Sequence, residues 1–395
     1  MIKADINKKR LLETFTELLR INSPSFQEKE IGSLLAKKLK ERACRVIIQK
    51  YDKSFNLIAF KKGTVSKAHP LLLSGHMDTI EPTEGIRFSI QSERVSSTGN
   101  TVLGADDKSA LAQILEALAV LQERALPHGD IEIVFTSAEE KGLHGVRNLD
   151  FGKIRSRYAL VLDSGGSVGK LVVAAPTHIT YEMRITGRPA HAGIEPEKGI
   201  SAIRVAAEII SAVPDGRISP ETTANIGMIN GGTATNVVPK EVVIHGELRS
   251  HDYKILQNTR KTIVDTARKI AKKNKAKIHI TEHEEYQSFR IDEDDRFLKF
   301  MDSVVLGCGI KPIHTITGGG SDANIFNKQG VKTINMSTGM QKVHSHEEYI
   351  LLKDLYKGSL LVLKAITEFE EFSPRGEGRL PGERSVLFPE FSNIC

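Results

Sequence analysis

The chain has 395 residues, 40% of them hydrophobic and 26% charged, a composition that excludes a disordered, collagen-like or membrane chain and leaves room for two or three globular domains. Its first residues are charged and lack the apolar stretch of a secretory signal, and no later apolar run reaches the roughly 20 residues that span a bilayer, so the cytoplasm is the expected location. The formal charge is +6, but residues 260–277 hold eight Lys or Arg against one acid, Asp265, and leave the remainder close to neutral.

In chain order, a helix is expected over residues 7–20, ending before Ser23-Pro24. A second opens with Ser25 and Glu28 as a capping box and turns Ile31, Leu34, Leu35 and Leu39 inward. Continuous apolar runs at 56–60, 71–74, 131–136 and 159–162 read as strands covered on both faces, and the nearly all-apolar stretch 108–121 reads as a buried helix. From about Thr177 the pattern becomes strand 178–186, helix 201–212, strands 222–229 and 242–248, the basic helix, and strand 277–285. This βαββαβ order is a compact α+β unit. The expected organisation is therefore an α/β domain of residues 1–176 and 292–371, an inserted domain of 177–291, and a disordered or appended tail, 372–395, rich in Gly, Pro and Arg.

In the basic helix Leu256, Ile263, Ala267 and Ile270 share one face, while Lys261, Asp265, Arg268 and Lys272 share the other, which makes the cations a solvated surface. No aromatic residues interleave with them as a single-strand stacking platform requires. Neither nucleic acid nor a membrane is expected as a partner. Cys44, Cys308 and Cys395 are odd in number and form no CxxC pair, so reduced thiols are expected.

Four segments place metal-ligand residue types just after expected strands, where open α/β sheets bind ligands. They are His76 and Asp78, Glu139 and Glu140, Asp163, and Asp106 at the start of the buried helix. Each has a bland reading alone: a His-x-Asp turn is commonly a surface feature, and a Glu pair at a helix start is favoured by the helix dipole. Their recurrence at one edge of one sheet points to a site.

The segments SGHMDT (74–79), TVLGADDKSALA (101–112), TSAEEKGLHG (136–145), LVLDSGG (160–166), GRPAHAG (187–193), NGGTATNVVP (230–239) and VHSHEEY (343–349) resemble, in order, those of the M20 family of metallopeptidases and its peptidase T-like branch. The resemblance implies a zinc-exopeptidase-like mixed-sheet catalytic domain whose insert is a lid and homodimerisation domain. It also implies a two-metal site in which Asp106 bridges, His76 and Asp163 complete the first metal, and Glu140 and His344 complete the second. With a bridging hydroxide, the three carboxylates neutralise two divalent ions. Zinc suits these ligands, and cobalt or manganese would be accepted.

Glu139 is the implied general base, and Asp78 the carboxylate that holds His76 in one tautomer. Neighbouring side chains at a helix start diverge by about 100°, which would let Glu140 face metal and Glu139 face water. A cis peptide is implied between Asp106 and Asp107. Of the two histidines in VHSHEEY, His344 stands four residues before Glu348, as in the family's HSxxEY ending, and is preferred to His346.

In the insert, His191, Asn236 and Arg249 match substrate-contacting positions, with His191 reaching the partner subunit's active site to stabilise an oxyanion and Arg249 pairing with a substrate carboxylate. Gly319 and Gly320 would offer amides to a substrate terminus. Read without the family, Arg249 closes a local ion pair and His191 caps a turn beside Gly193. The implied function is a dizinc exopeptidase of short peptides, releasing the N-terminal residue from tripeptides or similar substrates, because GADDK and Asp163 match peptidase rather than acylase members. The alternative is an M20 amidohydrolase of N-acyl or carbamoyl amino acids. A binding protein using the basic helix is disfavoured by Glu139, which a pure metal scaffold does not need.

Overall fold

A computed structural model of the chain describes residues 5–65 and 70–372; the remainder of the expected tail, with Cys395, lies outside the described residues. One mixed nine-stranded sheet runs in the order Arg45–Tyr51, Ser54–Lys61, Ile131–Thr136, Leu71–His76, Tyr158–Ser164, Lys332–Ser337, Lys170–Ala175 and Phe289–Arg290, with Ile313–Ile316 also paired to Lys170–Ala175. At its centre Leu71–His76 lies parallel to both Ile131–Thr136 and Tyr158–Ser164, and Tyr158–Ser164 lies parallel to Lys332–Ser337. Their C-terminal ends therefore open on the same edge.

Both faces are covered, which explains the unbroken apolar runs. Leu71 and Leu73 join a core with Leu11, Phe15, Leu115 and Leu355, while Leu72 joins Leu143, Val146 and Phe326 on the opposite face. The helix Ala105–Glu123 is buried from Ala105 to Leu121, because Lys8–Leu19 and Leu352–Glu368 pack along it. Phe372 closes an aromatic cluster with Tyr158, Phe297, Phe300 and Phe369.

The helix Lys29–Glu41 follows Glu28, but the capping box expected of Ser25 and Glu28 is not formed. The Glu28 carboxylate instead accepts hydrogen bonds from the N–H groups of Phe26 and Ala138 and from the Ser54 hydroxyl, and the Ser25 hydroxyl donates to Asp78. Buried partners distant in sequence, a carboxylate acceptor for Ser25 and donors from Ser54 and Ala138 for Glu28, outcompete the local helix end for both side chains.

A separate antiparallel sheet runs Gly216–Ser219, Thr222–Gly231, Glu241–Ser250, Thr177–Thr186 and Lys277–Tyr286. The helices Ala202–Ala212 and Tyr253–Lys273 pack on it over a core of its own that includes Ile185, Ile209, Ile244 and Ile263. Gly216–Ser219 is an edge strand absent from the expected βαββαβ order; four residues with one Arg carry no alternating signal. Leu256, Ile263, Ala267 and Ile270 of the basic helix are buried, and Lys261, Asp265, Arg268 and Lys272 are exposed.

A small third sheet, Met340–Gln341, Tyr349–Leu351, Arg94–Ser97 and Phe88–Gln91, anchors the segment that carries His344. Cys44 and Cys308 are unpaired. Among the described residues no helix is long and apolar enough to cross a membrane.

Candidate metal centre

His76 ends its strand, and burial leaves it 2% exposed. Its Nδ1 donates to the Asp78 carbonyl oxygen at 2.9 Å, with the Asp78 carboxylate at 3.4 Å, so the backbone carbonyl rather than the expected carboxylate is the nearer partner. That bond turns Nε2 toward Asp106 Oδ1 at 3.1 Å and Asp163 Oδ1 at 4.0 Å. Burial opposes protonation of His76, yet hydrogen bonds to Asp106 and Asp78 raise its pKa well above the usual imidazole range.

Asp106 and Asp107 open the central helix with a cis peptide between them, and neither has helical backbone angles. Asp107 turns the other way and accepts the N–H of His76 at 3.1 Å. A side chain at Gly75 would collide with that carboxylate. Glu348 accepts hydrogen bonds from Gly104 N–H at 2.8 Å and Asp106 N–H at 2.9 Å. Four residues earlier, His344 Nε2 stands 2.9 Å from Glu140 Oε1 and 3.2 Å from Asp106 Oδ2. One segment thus supplies an imidazole to the site and a brace for the acid beside it.

Glu139 and Glu140 do not begin a helix as expected: they lie in the turn after Ile131–Thr136, and the next helix starts at His144. Ala138, immediately before them, has a left-handed φ of 49°. The turn is fixed by Asp78, whose two carboxylate oxygens accept Glu139 N–H at 3.0 Å and Glu140 N–H at 3.2 Å. The divergence of the pair comes from this gripped turn rather than from helical spacing.

Asp163 completes the cluster from the end of Tyr158–Ser164, where its N–H donates to Asn335. Burial, reinforced by the charge of Asp106, pushes its carboxyl well above the usual range, and burial with Asp163 does the same to Glu139. Asp106 is held well below that range: burial works against ionisation, but hydrogen bonds with His344 and His76 overcome it.

The cavity of about 190 Å³ into which these groups face includes His76, Asp106, Glu139, Glu140, Asp163 and His344 and no Lys or Arg among its described lining residues. Possible ligand atoms of His76, Asp106 and Glu140 lie within 4.8 Å of one another, as do those of His76, Glu139 and Asp163, and those of Asp106, Asp107 and Asp163. Buried carboxylates that cluster with imidazoles and with no Lys or Arg among the described lining residues fit divalent cations, since a buried charge needs a counter-charge.

The residues expected from the insert lie apart from this cluster. His191 bridges Val237, and its Nδ1 accepts the N–H of Gly193; the Asn236 carbonyl accepts the N–H of Ala192. Both side chains are in exposed loop positions, and neither lines the cavity. Arg249 makes a bidentate pair with Glu247 at 3.1 and 3.0 Å, and its Nη1 lies 3.3 Å from Tyr286 OH and from Gly318 O. Gly319 N–H donates to Thr317 Oγ1, and Gly320 lines the cavity. Two structurally important acids went unassigned from sequence: Glu348, noticed only for its spacing, and Glu28, taken for a cap.

The chain matches the profile of Peptidase family M20/M25/M40 over residues 72–368. It is 37% identical over 375 residues to the uncharacterised protein YqjE of Bacillus subtilis, covering 92% of this chain and 99% of that one. The structure superposes on aminopeptidase PepT from Bacillus cereus with a TM-score of 0.85 at 37% identity, over 92% of this chain and 99% of that one. It superposes on a tripeptidase from Staphylococcus aureus with a TM-score of 0.89 at 33% identity, over 93% and 99%. With the family's profile spanning both flanks of the inserted sheet and all of the clustered acids, this chain belongs to peptidase family M20, hydrolases of peptide bonds.

Proposed function

We propose that the protein is a dinuclear metallo-aminopeptidase that removes the N-terminal residue of tripeptides and similar short peptides. The observation that carries this is the convergence of His76, Asp106, Glu139, Glu140, Asp163 and His344 on one cavity with no Lys or Arg among its described lining residues; the resemblance to an aminopeptidase and a tripeptidase supports the substrate class. His76, Asp106 and Asp163 would hold one ion and Asp106, Glu140 and His344 the other, with zinc preferred and cobalt or manganese as substitutes. When bound, two such ions supply the Lewis acidity that polarises a scissile carbonyl and lowers the pKa of water.

The chain's own residues do the rest. Glu139 takes a proton at its carboxylate and returns it to the leaving amine, a role suited to a carboxyl whose pKa burial has raised. Asp78 orients this chemistry twice, through its carbonyl on His76 and its carboxylate on the Glu139–Glu140 turn. Arg249 is assigned to a substrate carboxylate, Gly319 and Gly320 to a substrate terminus, Asn236 to a substrate contact, and His191 to the oxyanion in a neighbouring subunit's active site. Residues 1–176 and 292–371 form the catalytic domain in this reading, and 177–291 the lid through which a cytoplasmic homodimer assembles. A particle of twice 43.6 kDa in solution tests the last point.

The deciding assay is a panel of dipeptides, tripeptides and N-acylated peptides with metal-reconstituted protein. Release of the first residue from free tripeptides, with blocked peptides inert, is expected. Cleavage confined to N-blocked substrates would instead identify an amidohydrolase of N-acyl or carbamoyl amino acids.

A further inference from the structure

We propose that Glu28 is a positioning residue for the acid turn, holding Glu139 and Glu140 in register from outside the metal cluster. It is 1% exposed, and its carboxylate joins three chain segments: it accepts Phe26 N–H at 2.8 Å, Ala138 N–H at 2.8 Å and the Ser54 hydroxyl at 3.0 Å. Phe26 and Ala138 both have left-handed backbones, with φ of 70° and 49°. L-residues hold such angles only where the surroundings impose them. One buried oxygen therefore imposes both.

The grip extends over four successive residues. Ser54 Oγ lies 3.0 Å from Ser137 Oγ, which also meets Tyr51 OH at 2.8 Å. Glu28 holds Ala138, and Asp78 holds Glu139 and Glu140. Ser25, three residues before Glu28, donates to the same Asp78 at 2.7 Å. The segment from Ser25 to Glu28 thus fastens the turn directly and through Asp78. Without Glu28, Ala138 loses the partner of a buried N–H and the reason for its left-handed φ, and the two acids that follow it lose their fixed directions.

The inference rests on the roles assigned above to Glu139 and Glu140, and its test separates the two. Glu28→Gln keeps an oxygen for both N–H groups and an amide to meet Ser54, so little loss is expected. Glu28→Asp is one methylene too short to reach all three partners, and Glu28→Ala removes the acceptor. In folded, metal-reconstituted full-length protein both are expected to lower kcat by about 10- to 100-fold with KM little changed, and to weaken zinc binding by a similar factor in chelator competition. Wild-type kcat per folded molecule together with wild-type zinc affinity in the Asp and Ala enzymes overturns the inference. If the Ala protein does not fold, equal kcat in the Gln and Asp enzymes overturns it. A fully active Glu139→Gln enzyme would sink the general-base assignment instead, and the zinc measurements on Glu28 variants do not depend on that residue.

Discussion

The imidazole of His344 and the carboxylate of Glu140, 204 residues apart in the chain, stand 2.9 Å from one another, and Asp106 lies 3.2 Å from the same nitrogen. Hydrogen bonds to Asp106 and Glu140 push the His344 pKa up to about 10, so near neutral pH the ring carries a proton that a metal ligand must lose. Zinc added to chelator-treated protein at about pH 7.5 is therefore expected to release protons, and its apparent affinity to climb with pH. Calorimetry in buffers of different ionisation enthalpy reads this directly. Binding with no proton release would contradict the assignment of His344.

The contact between His344 and Asp106 also sets the acid–base stability of the ion-free protein. A raised folded pKa means that the His344 contribution is complete below about pH 6.5, the unperturbed value, and is lost as pH rises through about 10. Asp106 works in the opposite sense: its depressed pKa gives a contribution present above its unfolded value and lost as pH falls through the folded one. Thermal unfolding of chelated protein is expected to show a falling Tm from pH 7 toward 10, and zinc-loaded protein a flatter profile. Parallel profiles would show that the pair does not couple to the ion.

Glu139→Gln separates a base from a ligand. An oxygen of Glu139 lies within 4.8 Å of ligand atoms of His76 and Asp163, close enough to share an ion, but its assigned task is proton transfer, typically worth about 10²- to 10⁴-fold. The variant is expected to keep both ions by elemental analysis while kcat falls by that order. Loss of an ion along with activity would make Glu139 a ligand instead.

What the sequence made legible, and what it hid, follows from how far each interaction reaches. The strands ending at His76, Thr136 and Ser164 announce themselves as apolar runs bounded by polar residues, and the site residues sit where those runs stop. The buried helix is equally plain from its composition. Ser25 and Glu28 misled because their spacing satisfies a local capping rule, while their actual partners, Asp78 and Ala138, come from other segments. Glu139 and Glu140 look like a helix start because the helix dipole favours acidic residues there, yet Ala138 turns left-handed and Asp78 takes both N–H groups before any helix forms. The small sheet that carries His344 is built from strands of two to four residues, too short to show a period.

Glu348 is the brace most exposed to test. It is 1% exposed, burial pushes its carboxyl up to about 7, and it caps two N–H groups of the segment that delivers Asp106. Glu348→Ala leaves Gly104 and Asp106 with unmet buried donors, each costing about 1–3 kcal/mol. A clear fall in Tm is expected, with zinc affinity reduced about 10- to 100-fold. An unchanged zinc affinity in the folded variant would confine Glu348 to stability alone.

Arg249 stands between the five-stranded sheet and the glycine turn, already paired in bidentate fashion with Glu247 and touching Gly318 O through Nη1. A guanidinium so engaged has two possible uses. It either latches the five-stranded sheet to the turn that borders the cavity, or exchanges Glu247 for a substrate carboxylate. The two uses respond differently to the substrate's C-terminus. A charge-assisted hydrogen bond to a carboxylate is worth about 1.5–3 kcal/mol, or roughly 10- to 150-fold in kcat/KM at about 1.4 kcal/mol per tenfold. Arg249→Ala is expected to lose that factor with free tripeptides and little with their C-terminal amides, because the amide offers no negative charge to pair. Equal losses on both substrates would assign Arg249 to the latch and leave the substrate carboxylate to another group, with the amides of Gly319 and Gly320 next in line because that turn borders the cavity.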